Sequence, residues 1–105
     1  MQGMRKLFQP EIKDISLTNV LYALSDPNRL QIVRILAESE NLGCNKFDLM
    51  IAKSTQSHHF KVLREAGVTE TRIEGTQHYI YLRQADLEVR FPGLLQAVLH
   101  ATEPL

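Results

Sequence analysis

Apolar residues recur along the chain with the spacing of amphipathic helices. A first helix is predicted by four apolar residues at positions i, i+3, i+4 and i+7: Leu17, Val20, Leu21 and Leu24. Ser16, directly before this series, has a side chain that can cap the first turn of a helix. The residues before it, 1–14, lack such a pattern and are expected to form a flexible arm.

A second helix is predicted from Asp26 to about Glu38. Asp26 is a preferred cap, and Pro27 suits the first helical position, where its missing N–H removes no hydrogen bond. Five apolar residues are expected to face inward from this helix: Leu30, Ile32, Val33, Ile35 and Leu36. A helix that is apolar over so much of its circumference is expected at the centre of the core.

Residues 41–43 break this periodicity, and residues 45–51 could form a short helix. Ser54 is then a candidate cap for a helix over 55–66, which is expected to end at Gly67. Glycine is favoured directly after a helix because it adopts the left-handed backbone conformation without steric cost.

The remaining residues predict a β-hairpin followed by outer helices. Residues 68–73 and 77–83 are β-prone and flank the turn at Glu74-Gly75-Thr76. A last helix starts near Asp86, is interrupted at Pro92-Gly93, and continues beyond. The fold class is therefore α+β, mostly α, with a two-stranded wing, and residues 15–105 form a single domain.

Composition places the chain among single-domain proteins of the cytoplasm. Its 105 residues suffice for one hydrophobic core, and no apolar run approaches the ~18 residues of a membrane span. The one cysteine, Cys44, has no partner for an internal disulfide. We expect a cytoplasmic protein that is not associated with a membrane.

The charge is balanced overall but unevenly distributed. The formal net charge is zero, whereas residues 53–83 carry five Lys or Arg against three Asp or Glu, and three of the four histidines. Residues 84–105 show the opposite bias, with one Arg against three acidic residues. A modest basic excess on one segment is compatible with nucleic-acid binding and with an ordinary solvated face.

The predicted helix at 55–66 has two chemically different sides. One side carries Gln56, His59, Phe60 and Leu63, and His59 is expected to be a buried, hydrogen-bonded structural residue. The opposite arc carries short hydroxyls, an imidazole and an ammonium group: Ser54, Ser57, His58 and Lys61. Such groups donate to phosphates and base edges, and a helix N-terminus also favours phosphate. A polar face exposed only to water is the alternative interpretation.

Three stretches resemble one protein family. The run KSTQSHHFKVLREAG (53–67) and the hairpin after it resemble the recognition helix and wing of the ArsR-type bacterial repressors. The run ALSDPNRLQIVRIL (23–36) is similar to the helix that opens the core of that family, and DLEVRFPGLLQAVL (86–99) to the C-terminal helix of one branch. The resemblance implies a winged helix-turn-helix homodimer that binds an inverted-repeat DNA operator through its recognition helix.

The resemblance also implies roles for individual residues. DNA contacts are expected from the recognition helix and the wing: Lys53, Ser54, Thr55, Gln56, Ser57, His58, Lys61, Arg72, Thr76 and His78. The dimer interface is expected to involve Leu17, Val20, Leu21, Leu24, Leu94, Leu95, Val98 and Leu99. Gln56 departs from the family pattern, which usually has an aliphatic residue there. It is either a specificity residue for adenine or a polar residue at the edge of the core.

Metal, redox and catalytic chemistry find little support in the sequence. Adjacent His58 and His59 point about 100° apart on a helix, so they cannot chelate one ion. Some ArsR-type proteins carry metal sites. At the positions that match the thiol site this chain has one thiol, Cys44, and at those that match the C-terminal site it has an incomplete set of ligands: Asp86, Glu88, His100 and Glu103. We expect no metal or other cofactor and no enzymatic activity. The sequence shows neither a Gly-rich phosphate loop nor paired carboxylates, and no segment that could supply the orienting group and oxyanion hole of a Cys-His site.

Two classes of function remain at this point. The first is a sequence-specific DNA-binding repressor, with a metal- or redox-responsive repressor as a variant in which Cys44 or His100 is the sensor. The second is a winged-helix domain that binds other proteins. The polar arc favours DNA, because a helix that docks onto a protein partner should expose an apolar stripe.

Overall fold

The computed structural model describes residues 7–39, the backbone of 42–43, residues 51–102 and residue 104. Its elements in chain order are a 3-10 turn η1 (Ile12–Asp14), helices α1 (Leu17–Ala23) and α2 (Pro27–Glu38), and strand β1 (Leu42–Gly43). They are followed by α3 (Lys53–Ala66), β2 (Thr69–Glu74), β3 (Gln77–Leu82), α4 (Gln84–Arg90) and α5 (Leu94–Leu99). The predicted mostly helical α+β class is confirmed. The short helix expected at 45–51 lies, except for Ile51, outside the described residues.

The ends of the helices follow from their local sequences. Ser16 accepts a hydrogen bond from the backbone N–H of Asn19, and Asp26 accepts from the N–H groups of Asn28 and Arg29, at 2.8 and 3.2 Å. Helix α3 ends at Gly67, whose φ of 87° is the left-handed conformation that glycine favours. These predicted caps are confirmed.

The predicted start of α3 was wrong by two residues. Ala52 is the N-cap, with an extended backbone and no side-chain cap, and its carbonyl accepts the first helical hydrogen bond from the N–H of Gln56. Ser54 therefore lies inside the first turn and is exposed to solvent instead of capping the helix.

The core lies between α2, α3, the hairpin and the outer helices. Ile32 and Val33 of α2 are fully buried, which confirms α2 as the central helix, while Leu30 and Ile35 are half-buried. The buried apolar residues are Ile15, Val20, Ala23, Leu24, Ile32, Val33, Leu36, Phe60, Leu63, Ala66, Val68, Ile80, Leu87 and Leu95.

Three residues expected at a dimer interface belong to this core instead. Val20, Leu24 and Leu95 are buried within the single chain, so they have almost no surface left for a partner subunit. Their burial corrects the interface inferred from the family resemblance. Of the same set, Leu17 and Leu21 are exposed, and Leu94, Val98 and Leu99 are half-buried.

The hairpin pairs β2 with β3 in antiparallel register, from Thr69 opposite Leu82 to Glu74 opposite Gln77. Gly75 occupies the turn with φ 63°. The short strand β1 adds to the other side of β3, so the sheet order is β1-β3-β2. The sequence pattern at 41–43 indicated only a break, because two residues are too few to show an alternation.

Residues 8–15, which we call the N-terminal strap, lie across the edge of this sheet and the end of α3. Gln9 donates from Nε2 to the carbonyl of Thr71 at 3.0 Å and accepts from the Thr71 N–H at 2.7 Å. Arg83 donates to the carbonyl of Pro10, and Arg90 donates twice to that of Ile15. The expectation of a flexible arm therefore does not hold for residues 8–14, and residues 1–6 lie outside the described part of the chain.

Candidate nucleic-acid interface

Helix α3 presents a polar face to solvent along its N-terminal half. Of the residues on this helix that are expected to contact DNA, all but Gln56 are exposed. The exposed residues are Lys53, Ser54, Thr55, Ser57, His58 and Lys61. The opposite side of the helix is held in the core by Phe60 and Leu63. Burial of these two residues fixes the rotation of the helix about its axis, so its polar face must point outward.

Gln56 lies at the margin between the two faces of α3. It is half-buried, and on the helix it lies about 20° from the fully buried Leu63. Of the two interpretations of this residue, its placement favours the polar residue at the edge of the core.

An open groove of about 480 Å³ separates α3 from the hairpin. Ser57, Phe60 and Arg64 line it from the helix. The hairpin contributes Thr71, Thr76, Gln77 and His78 to the other wall. Thr76 and His78, two of the expected wing contacts, are thus brought next to the polar face of α3.

Arg72, the third expected wing contact, lies on the other face of the hairpin. Thr69 and Thr71 of β2 are buried toward the helices, and side chains alternate along a strand, so Arg72 points away from α3. Its guanidinium lies 4.1 Å from the centre of the Tyr81 ring and 3.4 Å from a carboxylate oxygen of Glu70. The structure does not bring Arg72 together with the other expected DNA contacts.

Behind the exposed face, three polar side chains connect α3 to the first two helices. Arg29 is only 5% exposed and donates to the carbonyls of Ala23 at 2.6 Å and Tyr22 at 3.2 Å. Its Nη1 lies 3.1 Å from Nδ1 of His59. Because arginine has only donors, His59 accepts at Nδ1 and carries its proton on Nε2, which lies 3.9 Å from Asp26. His59 is therefore the buried, hydrogen-bonded residue that the sequence predicted.

The environment of His59 favours its neutral form. Burial lowers the pKa of its imidazole, and the charges of Arg29 and His58 lower it further, while Asp26 acts in the opposite direction. Protonation would also place an N–H of His59 against the N–H of Arg29, where an acceptor is needed. The neutral imidazole is thus part of the connection between α2 and α3.

We expect the free energy of unfolding to fall on acidification below about pH 6.5. His59 binds a proton more readily in the unfolded chain, where its pKa is near 6.5, so its stabilisation is complete above that pH. It is lost as the pH falls toward the lower pKa of the folded state, by at most about 1.4 kcal/mol per pH unit. Urea unfolding at several pH values measures this slope.

A pair of variants assigns the slope to the buried histidine. His59→Gln, which retains an acceptor for Arg29 but does not titrate, should lose this part of the pH dependence. His58→Gln removes the exposed neighbouring imidazole, the smallest of the causes that lower the pKa of His59, and should leave most of the dependence in place. The assignment would be wrong if His58→Gln flattened the profile and His59→Gln did not.

Several expected sites of other chemistry fall on undescribed residues. Cys44 and Glu103 both lie outside the described part of the chain, as do residues 45–50. Within the described ranges, no group of three His, Cys, Asp or Glu side chains could share a metal ion. None of the helices in the same ranges is long and apolar enough to cross a membrane.

Two arginines at the site were not assigned from the sequence. Arg29 was noted only as part of a matching run, because periodicity cannot show a charged side chain buried under a helix. Arg64 could have been found, since it lies seven residues after Ser57 and hence within about 20° of it on the helix. Ser57 and Arg64 line the same groove.

Comparison with known proteins finds relatives among transcriptional regulators. No protein-family model matches the chain. It is 40% identical over 82 residues to the uncharacterized HTH-type transcriptional regulator YceK of Bacillus subtilis (strain 168), covering 75% of this chain and 82% of YceK. The arsenical resistance operon repressor of Staphylococcus aureus is 33% identical over 73 residues, covering 69% of this chain and 70% of that repressor.

A solved structure shares the fold. HlyU from Vibrio cholerae N16961 superposes with a TM-score of 0.59, covering 74% of this chain and 88% of HlyU at 24% sequence identity. The likeness, together with the hairpin that follows α3, confirms the winged helix-turn-helix fold expected from the sequence.

Proposed function

We propose that this chain, which belongs to the ArsR-type family of helix-turn-helix transcriptional regulators, represses transcription by binding an inverted-repeat operator as a homodimer. Helix α3 enters the major groove, and the turn of the hairpin reaches the adjacent DNA backbone. The proposed role is binding and requires neither a cofactor nor a catalytic step.

The exposed polar face of α3 is the observation that carries this proposal. Its serine, threonine and histidine side chains offer donors to base edges and phosphates, and its lysines offer positive charge to the backbone. A protein-interaction module, the alternative function, would need an apolar stripe along this face. The large apolar side chains of α3, Phe60 and Leu63, are buried on the other side.

Individual roles follow from position along the helix. Ser54, Ser57 and His58 lie in the N-terminal half of α3, the part of a recognition helix that reaches base edges. Lys53 and Lys61 are expected to contact phosphates. Thr55, Thr76 and His78 complete the surface, whereas Gln56 and Arg72 are less well placed for contact with the same DNA segment.

Homodimerisation is proposed from the apolar surface that the fold leaves exposed. Leu17 and Leu21 of α1 are 44% and 47% exposed, one helical turn apart. The half-buried Leu94, Val98 and Leu99 of α5 extend the set of apolar residues available to a second copy. Two-fold symmetry would place the two α3 helices about 34 Å apart, one turn of DNA.

Two substitutions in α3 should weaken DNA binding in different ways. His58→Ala is expected to reduce operator affinity by about 1–3 kcal/mol and to relax the preference at particular base positions. Lys61→Ala should weaken binding to all sequences about equally and lower the salt dependence by about 1 for each subunit. Fluorescence anisotropy with a duplex from the chain's own promoter region, over a range of salt concentrations, measures both effects.

Matched controls exist elsewhere on the surface. His100→Ala and Lys13→Ala remove the same side chains from exposed positions outside α3 and should bind DNA like the wild type. Wild-type affinity in both the His58 and the Lys61 variants would show that α3 is not the recognition helix.

A further inference from the structure

The groove between α3 and the hairpin has the composition of an anion site. It holds about 480 Å³, is open to solvent, and is lined in part by Ser57, which belongs to the polar face of α3. None of its seven lining residues is acidic, and one, Arg64, carries a permanent positive charge. Hydroxyl and imidazole groups of Ser57, Thr76 and His78 lie around it.

The N-terminal strap restricts the orientation of Arg64. Its Nε donates to the carbonyl of Phe8 at 3.3 Å, which uses one edge of the guanidinium. Among the residues that the structure describes, no hydrogen bond or ion pair occupies the two terminal nitrogens of Arg64. A guanidinium held in this way keeps N–H donors available, in the fork geometry that matches two phosphate oxygens.

The position of Arg64 connects the groove to the proposed DNA surface. It lies two helical turns after Ser57, on the stripe of α3 that faces the wing. When a recognition helix occupies the major groove, the phosphates that border this groove lie beside the helix. A gap between helix and wing, lined by donors, is a place where one of these phosphates can enter.

We propose that a backbone phosphate of the DNA binds in this groove, with Arg64 as its cationic ligand and Ser57, Thr76 and His78 as hydrogen-bond donors. Phe8 acts as a positioning residue through its carbonyl, which holds the guanidinium at the groove. This inference rests on the proposed function. It adds a phosphate contact at the junction of helix and wing, which ties the orientation of the wing to that of α3.

The salt dependence of DNA binding tests the inference. The probes are a 30-base-pair duplex from the chain's own promoter region and an unrelated duplex of the same length. Each phosphate contact contributes about 0.9 to the slope of log affinity against log salt concentration, so Arg64→Gln should lower the slope by about 1.8 in a dimer. It should weaken binding to both duplexes by a similar factor.

Two further variants separate charge from packing. Arg64→Lys keeps the positive charge and should retain most of the wild-type slope, although it loses the fork. Gln9→Ala loosens the strap that positions Arg64 without removing a charge, so it should lower the slope by less than Arg64→Gln does. Circular dichroism confirms that each variant is folded, and Arg64→Met, which also removes the charge but keeps an unbranched side chain, carries the test if the glutamine variant is not folded.

The possible outcomes are distinct. The inference is overturned if Arg64→Gln keeps the wild-type slope. It is also overturned if Arg64→Lys or Gln9→Ala lowers the slope by the full amount of about 1.8 that is expected for Arg64→Gln. These results leave the proposed function intact, because the wild type still binds. If the wild type binds neither duplex, the proposed function fails, and this inference fails with it.

Discussion

Replacement of Arg29 by alanine is expected to lower the free energy of unfolding by about 3–5 kcal/mol. The guanidinium of Arg29 donates to the last carbonyls of α1, those of Tyr22 and Ala23, and to the imidazole of His59. Its removal takes the guanidinium donors from the carbonyl of Ala23 and from Nδ1 of His59, and a positive charge from the C-terminus of α1, while the carbonyl of Tyr22 still accepts from Ser25. Since domains of this kind have about 5–15 kcal/mol of stability in total, urea denaturation should show a large shift of the midpoint.

Arg90→Ala provides a matched control for this experiment. Arg90 also donates two hydrogen bonds to a backbone carbonyl, that of Ile15, but it is exposed, so water can replace the lost donors. A loss of about 1 kcal/mol or less is expected there. Similar losses in the two variants would show that the buried connection to His59 contributes little.

The double variant Leu17→Glu/Leu21→Glu is expected to be monomeric and to lose operator affinity by about 100-fold or more. The two leucines are the exposed apolar residues of α1 that remain from the predicted interface, and burying four carboxylates at a two-fold contact would be strongly unfavourable. A monomer retains one recognition helix and cannot engage two half-sites together. Light scattering at micromolar concentration reports the mass, and anisotropy reports the affinity.

Asn19→Glu is the control for added charge on the same helix. Asn19 is exposed, lies about 160–200° around the helix from the two leucines, and occupies the third helical position, where glutamate is favourable. This variant should remain dimeric and bind the operator. A dimeric Leu17→Glu/Leu21→Glu variant, or a monomeric wild type, would contradict the proposed interface.

Local signals were sufficient to predict most elements of the fold. The caps at Ser16 and Asp26, the glycine after α3 and the turn at Gly75 each act through neighbouring residues, so their effect can be inferred from a short stretch of sequence. The polar face of α3 was predicted for the same reason, because helical periodicity alone separates Ser57 from the buried side of the helix.

Whether an apolar helix face packs on the chain's own core or on a second subunit could not be predicted in the same way. The first and last helices show apolar stripes, but a stripe looks the same whether it meets the chain's own core or a second subunit. The structure assigns Val20, Leu24 and Leu95 to the core and leaves Leu17 and Leu21 exposed. Only the three-dimensional packing of α1 and α5 resolves this ambiguity.

Polar contacts between residues far apart in the chain could not be predicted from the sequence either. The hydrogen bonds of Gln9 to Thr71 and of Arg64 to Phe8 join residues more than fifty positions apart, and nothing in either neighbourhood indicates a partner. Arg72 is a different case. Strand alternation places the side chains of Arg72 and Thr71 on different faces of the hairpin. Which of these faces meets α3 depends on burial, which the sequence pattern did not reveal.

The pairing of Gln9 with Thr71 has a consequence for the behaviour of the protein in solution. Strand β2 is at the edge of the sheet, where unpaired backbone groups can recruit a strand from another molecule. The side-chain amide of Gln9 satisfies both backbone groups of Thr71, as a neighbouring strand would, yet offers no strand to which a third could add. We therefore expect one glutamine to block the middle of this edge against intermolecular β-pairing without lengthening the sheet.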